Sequence, residues 1–140
     1  MATSKKTTSK KQARSSRAQA QVKCIEPSGK YAFSAYGQLL EGNPHVGPVA
    51  WAGYIEFSKG LITGTDTVNY SDESPVEREF SGTYTVEKNC AVTVNFSFTK
   101  NDPHATAASA SLYFADKGKE FRMVQSDKLR VCSGSGTRVN

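Results

Sequence analysis

From residue 30 onward the chain alternates bulky apolar residues with small or polar ones at a period of two. Short polar corners interrupt the pattern at even intervals. The runs cover residues 30–38, 48–57, 61–70, 78–87, 91–99, 107–116, 119–126 and 129–139, all rich in β-branched and aromatic residues. No window of comparable length shows helical spacing. Eight short strands so spaced predict an all-β chain folded as an antiparallel meander, a closed barrel or a sandwich. An eight-stranded antiparallel up-and-down β-barrel is the expected fold.

The alternation also assigns faces, because successive side chains on a strand point to opposite surfaces. In the fifth run Val92, Val94, Phe96 and Phe98 share one side and Thr93, Asn95, Ser97 and Thr99 the other. Val49, Trp51, Ile55 and Phe57 fall inside on the second run, as do Phe80, Tyr84 and Val86 on the fourth. Glu56 shares a side with Ala50, Ala52 and Tyr54 and is expected to face solvent. Gly53, Gly64 and Gly82 sit mid-strand, where they weaken a sheet unless a bend or a close approach needs them. Closing a small barrel needs such bends, and the missing side chains are expected to leave space in the lumen.

The connections sort by length. Corners "SKG", "EKNC" and "KG" are tight, whereas residues 39–47, 71–77 and 100–106 form longer connections that carry prolines. In a meander, corners alternate between the two ends. The tight ones therefore share a pinched floor and the long ones a loop-rimmed mouth. The "DK" corner after the seventh strand is the one short turn on the mouth side.

Composition modifies this picture at the N-terminus. The net charge of +5 is unevenly spread. Residues 1–23 carry seven Lys and Arg and no acid, while residues 24–140 carry the other 11 bases against all 13 acids. Two segments follow: a disordered basic tail, 1–23, and a barrel domain, 24–140. For the tail, a solubilising arm, weak contact with nucleic acid or another polyanion, and an organelle-targeting peptide compete. No apolar run reaches the roughly 18 residues of a membrane-spanning helix, so no membrane partner is expected. Cys24, Cys90 and Cys132 make no metal-site spacing. Their odd number, with no secretory leader, predicts reduced, buried thiols and a cytoplasmic protein.

Four stretches, "GKYAFSAYG", "FSKGLITGTDTV", "FSGTYTVEKNC" and "GKEFRMVQSD", resemble small bacterial barrel proteins of the allene oxide cyclase-like, calycin-type group. The likeness lies in an F-x-G-T-Y-T-V-x-x-x-C hairpin and a late G-K-E strand, and it covers residues 24–140. It implies an eight-stranded barrel, in some members a homo-oligomer, whose lumen binds small apolar molecules. Some members use that lumen to fold a reactive substrate for ring closure. No catalytic residue of the group aligns onto this chain.

No phosphate loop, zinc motif or nucleophile elbow is present, and neither cofactor nor metal is expected. Candidate chemistry therefore rests on position. His45 in "NPHV" and His104 in "DPHA" both fall on mouth loops, with Asp72, Glu73 and Glu77 on the connection between the third and fourth runs. A His pair with such carboxylates could bind a metal, or one histidine could move a proton, although polar mouth loops need no function to be polar. Asp66 shares its face with Ile62, Gly64, Val68 and Tyr70, so a carboxylate is expected to point into an apolar interior. A structural hydrogen bond, or a bulge at Gly64 that turns it outward, is the simpler account. Trp51, Tyr70, Phe80, Phe96, Phe98 and Met123 are the candidate ligand-binding walls, unless the barrel is filled by its own side chains. The leading expectation is a cofactor-free cyclase or isomerase acting on a small apolar organic ligand. A non-catalytic carrier or sensor, or an interaction module with a polyanion-binding tail, stands beside it.

Overall fold

The structure is a computed structural model and describes residues 23–100 and 107–140. Residues 1–22, and with them nearly all of the basic tail, lie outside the described residues, as do residues 101–106 with His104. Eight strands run in chain order: β1 (Gly29–Leu39), β2 (Gly47–Ser58), β3 (Leu61–Tyr70), β4 (Val76–Val86), β5 (Val92–Lys100), β6 (Ala108–Ala115), β7 (Glu120–Asp127) and β8 (Arg130–Arg138). Each pairs antiparallel with the next, and β8 returns to β1, so the sheet closes as a barrel with no free edge. The strand ends agree with the periodic runs to within two residues, some extending into the corners and others stopping short of them.

The two ends are built differently. At the floor, Lys59 and Gly60 both take positive φ (50° and 84°), the two-residue turn whose twist matches the flanking strands. The β4–β5 corner closes with the Glu87 N–H donating to the Ala91 carbonyl at 2.8 Å, and a tight turn over Asp116–Gly118, all three residues at positive φ, joins β6 to β7. Above this floor Tyr31, Phe57, Ile62, Val92 and Leu112 are buried to 1% exposure or less. Burying each large side chain contributes about 1.5–3 kcal/mol. Their rings meet edge to face, as for Tyr31 and Phe57 at 5.5 Å. The lower half of the lumen is thus a filled core.

The polypeptide before β1 finishes the seal. Pro27 is fully buried, and the Tyr84 hydroxyl donates to Glu26 Oε1 at 2.8 Å. Burial pushes the Tyr84 phenol up from its ordinary value, and Glu26 adds to the effect. The Tyr31 hydroxyl donates to the Gly118 carbonyl, and Arg138 Nη2 donates to Tyr31 at 3.1 Å. Cys24 is joined to Cys90 on the β4–β5 corner by a disulfide, with Cα atoms 4.9 Å apart. This corrects the expectation of reduced thiols at both positions. Odd counting from sequence could not show that the segment before β1 crosses beneath the barrel to reach Cys90. Cys132 alone is a free, buried thiol.

The mid-strand glycines do not open space in the lumen, contrary to expectation. A Cβ at Gly53 would overlap the Thr65 carbonyl on β3, and one at Gly64 would overlap the Phe80 ring. The first marks a close approach of neighbouring backbone, and the second a glycine covered by an aromatic lid. Both help the sheet to bend into a barrel.

Candidate functional site

Above the filled half the lumen opens into a cavity of about 290 Å³, at the lower edge of the range for small-molecule sites. Val94, Leu112 and Phe121 contribute to its walls from below, and Leu39, Asn43, His45 and Leu129 from the rim. All six ligand-binding candidates, Trp51, Tyr70, Phe80, Phe96, Phe98 and Met123, border it. They do so because each sits at an inward position of its strand, in phase with the buried residues. Phe80, Phe96 and Phe98 form a mutually tilted aromatic cluster with centroids 5.7–6.2 Å apart.

Asp66 points inward and is 6% exposed, so the bulge that would have turned it out does not occur. Its partner is Arg78, directly opposite on β4 and 7% exposed. Arg78 Nε donates to Oδ1 and Nη2 to Oδ2, each at 2.8 Å, while Nη1 donates to the Tyr70 hydroxyl at 3.2 Å. The guanidinium also lies over the Phe98 ring, 3.9 Å from its centroid. Two parallel hydrogen bonds fix the carboxylate and neutralise the cation, which a buried ion pair requires. The sequence reading missed Arg78, yet the signal was present: it is in phase with Phe80 and Tyr84.

His45 is folded over the mouth by its own loop, residues 40–46. The His45 N–H donates to Asn43 Oδ1 at 3.0 Å, and Pro44 restricts the backbone between them. The Leu40 N–H donates to the Leu129 carbonyl at 2.8 Å, and Asn43 Nδ2 reaches the same oxygen at 3.4 Å, which ties the loop to the β7–β8 turn. The imidazole stacks on Tyr70 at 3.8 Å with planes 9° apart. Its Nδ1 lies 3.1 and 3.3 Å from the two Asp72 oxygens, and Nε2 lies 3.9 Å from Glu73. Only 12% of the side chain is exposed. Asp66, Arg78, Tyr70 and His45 thus form one continuous polar strip from the wall to the rim. Glu77, expected among them, pairs across from Thr67 and lies on the exposed outer face.

Cys132 on β8 also borders the cavity. Burial chiefly pushes its thiol up, with Asp127 adding, while Arg130 and a backbone hydrogen bond at Gln38 pull the other way. Among the described residues no three His, Cys, Asp or Glu side chains are arranged to hold a metal ion, and no helix is long and apolar enough to cross a membrane.

No family model matches the sequence, and no curated protein matches it either. Two solved barrels are similar in shape. A de novo designed fluorescence-activating β-barrel superposes with a TM-score of 0.50 at 16% identity, over 82% of this chain and 94% of that one. A redesigned β-barrel bound to DFHBI gives 0.49 at 13% identity, over 79% of this chain and 97% of that one. At 16% identity the first likeness shows a shared fold alone, and the allene oxide cyclase-like resemblance rests on its sequence motifs. This chain is a closed, eight-stranded antiparallel β-barrel.

Proposed function

We propose that the barrel binds a small, mostly apolar organic molecule in the upper half of its lumen, admitted through the mouth that loop 40–46 overhangs. One observation carries this reading: a cavity of about 290 Å³ with aromatic and aliphatic walls lies against a sealed, fully packed floor. A space this large in a small domain costs stability, since protein interiors are otherwise close-packed. Dispersion and burial along Phe96, Phe98 and Met123 would supply most of the affinity.

Titration with anilinonaphthalene sulfonate tests it, read both by dye emission and by Trp51 fluorescence. Saturable binding that Ala110→Phe abolishes supports the lumen as the site, because Ala110 is a small residue on the cavity wall. Binding that survives the plug, or no saturable binding by this or other flat apolar dyes, overturns it.

A cofactor-free cyclase or isomerase is the second reading, favoured by the strip from Asp66 to His45 on one side of a mostly apolar chamber. Holding one reactive conformer can lower a barrier by up to about 7–11 kcal/mol in ideal cases, without a covalent step. In this reading His45, anchored by Asp72, is the proton-moving group, and Asp66 acts through Arg78 and Tyr70. Turnover of a candidate substrate that His45→Gln slows without weakening binding would favour it over a carrier. The Cys24–Cys90 bridge favours an oxidising compartment over the cytoplasm.

A further inference from the structure

The cavity has a second polar corner, across the lumen from Asp66 and Arg78. Gln125 on β7 is in phase with Phe121 and Met123, borders the cavity and is only 4% exposed. Its Nε2 is buried with no hydrogen-bond partner. Buried amide donors are seldom left in that state, because they lose water and gain nothing in return. In a closed eight-stranded barrel β7 and β8 lie opposite β3 and β4. A molecule filling the chamber therefore touches the phenylalanine cluster on one side and the Gln125 amide on the other.

The charges nearby narrow what that molecule presents. Arg130 also borders the cavity, on β8 two residues from Cys132, which pairs with Gln125. Its Nε lies 3.3 Å from Asp127 Oδ2, although no aligned hydrogen bond reaches that nitrogen. Arg78 is matched by Asp66. Each cation on the wall thus already faces a carboxylate. An anionic ligand would give up its water without meeting an uncompensated positive charge. A neutral acceptor, by contrast, gains a buried, uncharged donor that the fold leaves unmade.

We infer that Gln125 is a specificity-determining residue that receives the carbonyl oxygen of a neutral, flat ligand: a ketone, ester, lactone or amide carried on an apolar body. The inference rests on the lumen-binding reading above and adds the functional group that the ligand must carry. Because the amide is held by β7 rather than by a loop, the carbonyl is fixed in place while the rest of the ligand is free to slide against the rings.

A matched pair of probes tests this on the full chain: 2-acetylnaphthalene and 2-isopropenylnaphthalene, which differ by replacement of C=O with C=CH₂. Affinities are read by Trp51 quenching, with 2-naphthoate as the anionic member of the series. The expected result is a preference for the ketone of roughly tenfold, the scale of one buried hydrogen bond. The naphthoate should bind more weakly than the ketone. Gln125→Met should bring the ketone and alkene affinities together. Gln125→Leu, which removes both donors without adding a charge, provides the same check should the methionine variant not fold. Equal affinities for ketone and alkene in the unaltered protein overturn the role of Gln125 and leave lumen binding standing. An unchanged preference in a folded Gln125 variant, or naphthoate binding tightest, overturns the role as well. Binding of neither neutral probe overturns lumen binding and the Gln125 role together.

Discussion

Arg78 holds Asp66 through two hydrogen bonds of 2.8 Å each, from positions directly opposite one another on β4 and β3. The pair is both a wall of the cavity and a strut of the barrel. Breaking it from one side leaves a buried guanidinium with no countercharge. Asp66→Asn is therefore expected to destabilise the fold by about 3–5 kcal/mol. The joint replacement Asp66→Leu with Arg78→Met should recover most of that loss, or exceed it. Urea unfolding of the three proteins checks this, and a harmless single substitution would show that the pair carries no structural load.

The disulfide closes a loop of 66 residues in sequence. Chain entropy alone puts the contribution of such a bridge near 4 kcal/mol, and measured bridges commonly give about 2–4. Paired Cys24→Ser and Cys90→Ser replacements should lower the thermal midpoint accordingly. Reductant should lower the midpoint of the parent protein and leave that of the serine variant unmoved. A midpoint insensitive to reductant in both would show that Cys24 and Cys90 are not bridged.

Cys132 reports on the chamber from inside. With its thiol pushed up by burial, little thiolate is present at pH 8, so native labelling by iodoacetamide should be slow. The rate should climb as pH rises above the ordinary thiol range. The sign follows from the shift: a raised pKa keeps the unreactive, protonated form to higher pH. A bound lumen ligand should slow labelling further, since Cys132 borders the same space. Fast, ligand-independent labelling at neutral pH would contradict this placement.

His45 closes part of the mouth by stacking on Tyr70 and binding Asp72. His45→Ala should raise the dissociation rate of a lumen probe by several-fold, whereas His45→Phe, which keeps a stacking ring, should raise it less. Stopped-flow displacement separates the two. Equal rates in all three proteins would show that loop 40–46 does not limit exchange.

Removal of residues 1–22 should leave lumen affinity unchanged. Cys24 emerges at the floor, bonded to Cys90, and a strand of nine residues places the mouth roughly 30 Å away, less when tilted. Charge at the floor is screened within about 8 Å at physiological salt. Side-by-side titrations of a lumen probe and a nucleic acid, at two salt concentrations, should show loss in the second only. Weakened probe binding would place the tail's influence at the mouth.

Strand parity made most of the barrel legible, because an interior that tolerates few polar groups repeats its preference at every second residue. Parity alone sets Trp51, Tyr70 and Met123 on the inward face, where they border the cavity. The same rule applied strictly reaches Arg78 and Gln125, which share faces with Phe80 and Met123. They are hard to recognise because a polar residue at an inward position looks like an error in the pattern until its partner is known. Asp66 showed that something polar was inside, but parity along one strand does not give register between two. That register is what sets Arg78 opposite. The bridge between Cys24 and Cys90 was out of reach for a different reason. No periodicity governs the segment before β1, so nothing local says that it crosses beneath the barrel.

The sealed floor has a consequence for traffic. A tube open at both ends can pass cargo through in one direction, but a chamber stopped by Tyr31, Phe57 and the Cys24–Cys90 strap is a cul-de-sac. A molecule bound there, as proposed, would leave by the end it entered, the end that bears His45, tail first if it entered head first. Loading and unloading then share one doorway and cannot overlap. If the barrel is a carrier, an acceptor of its cargo would have to dock where the donor did, or wait for the molecule to reach water.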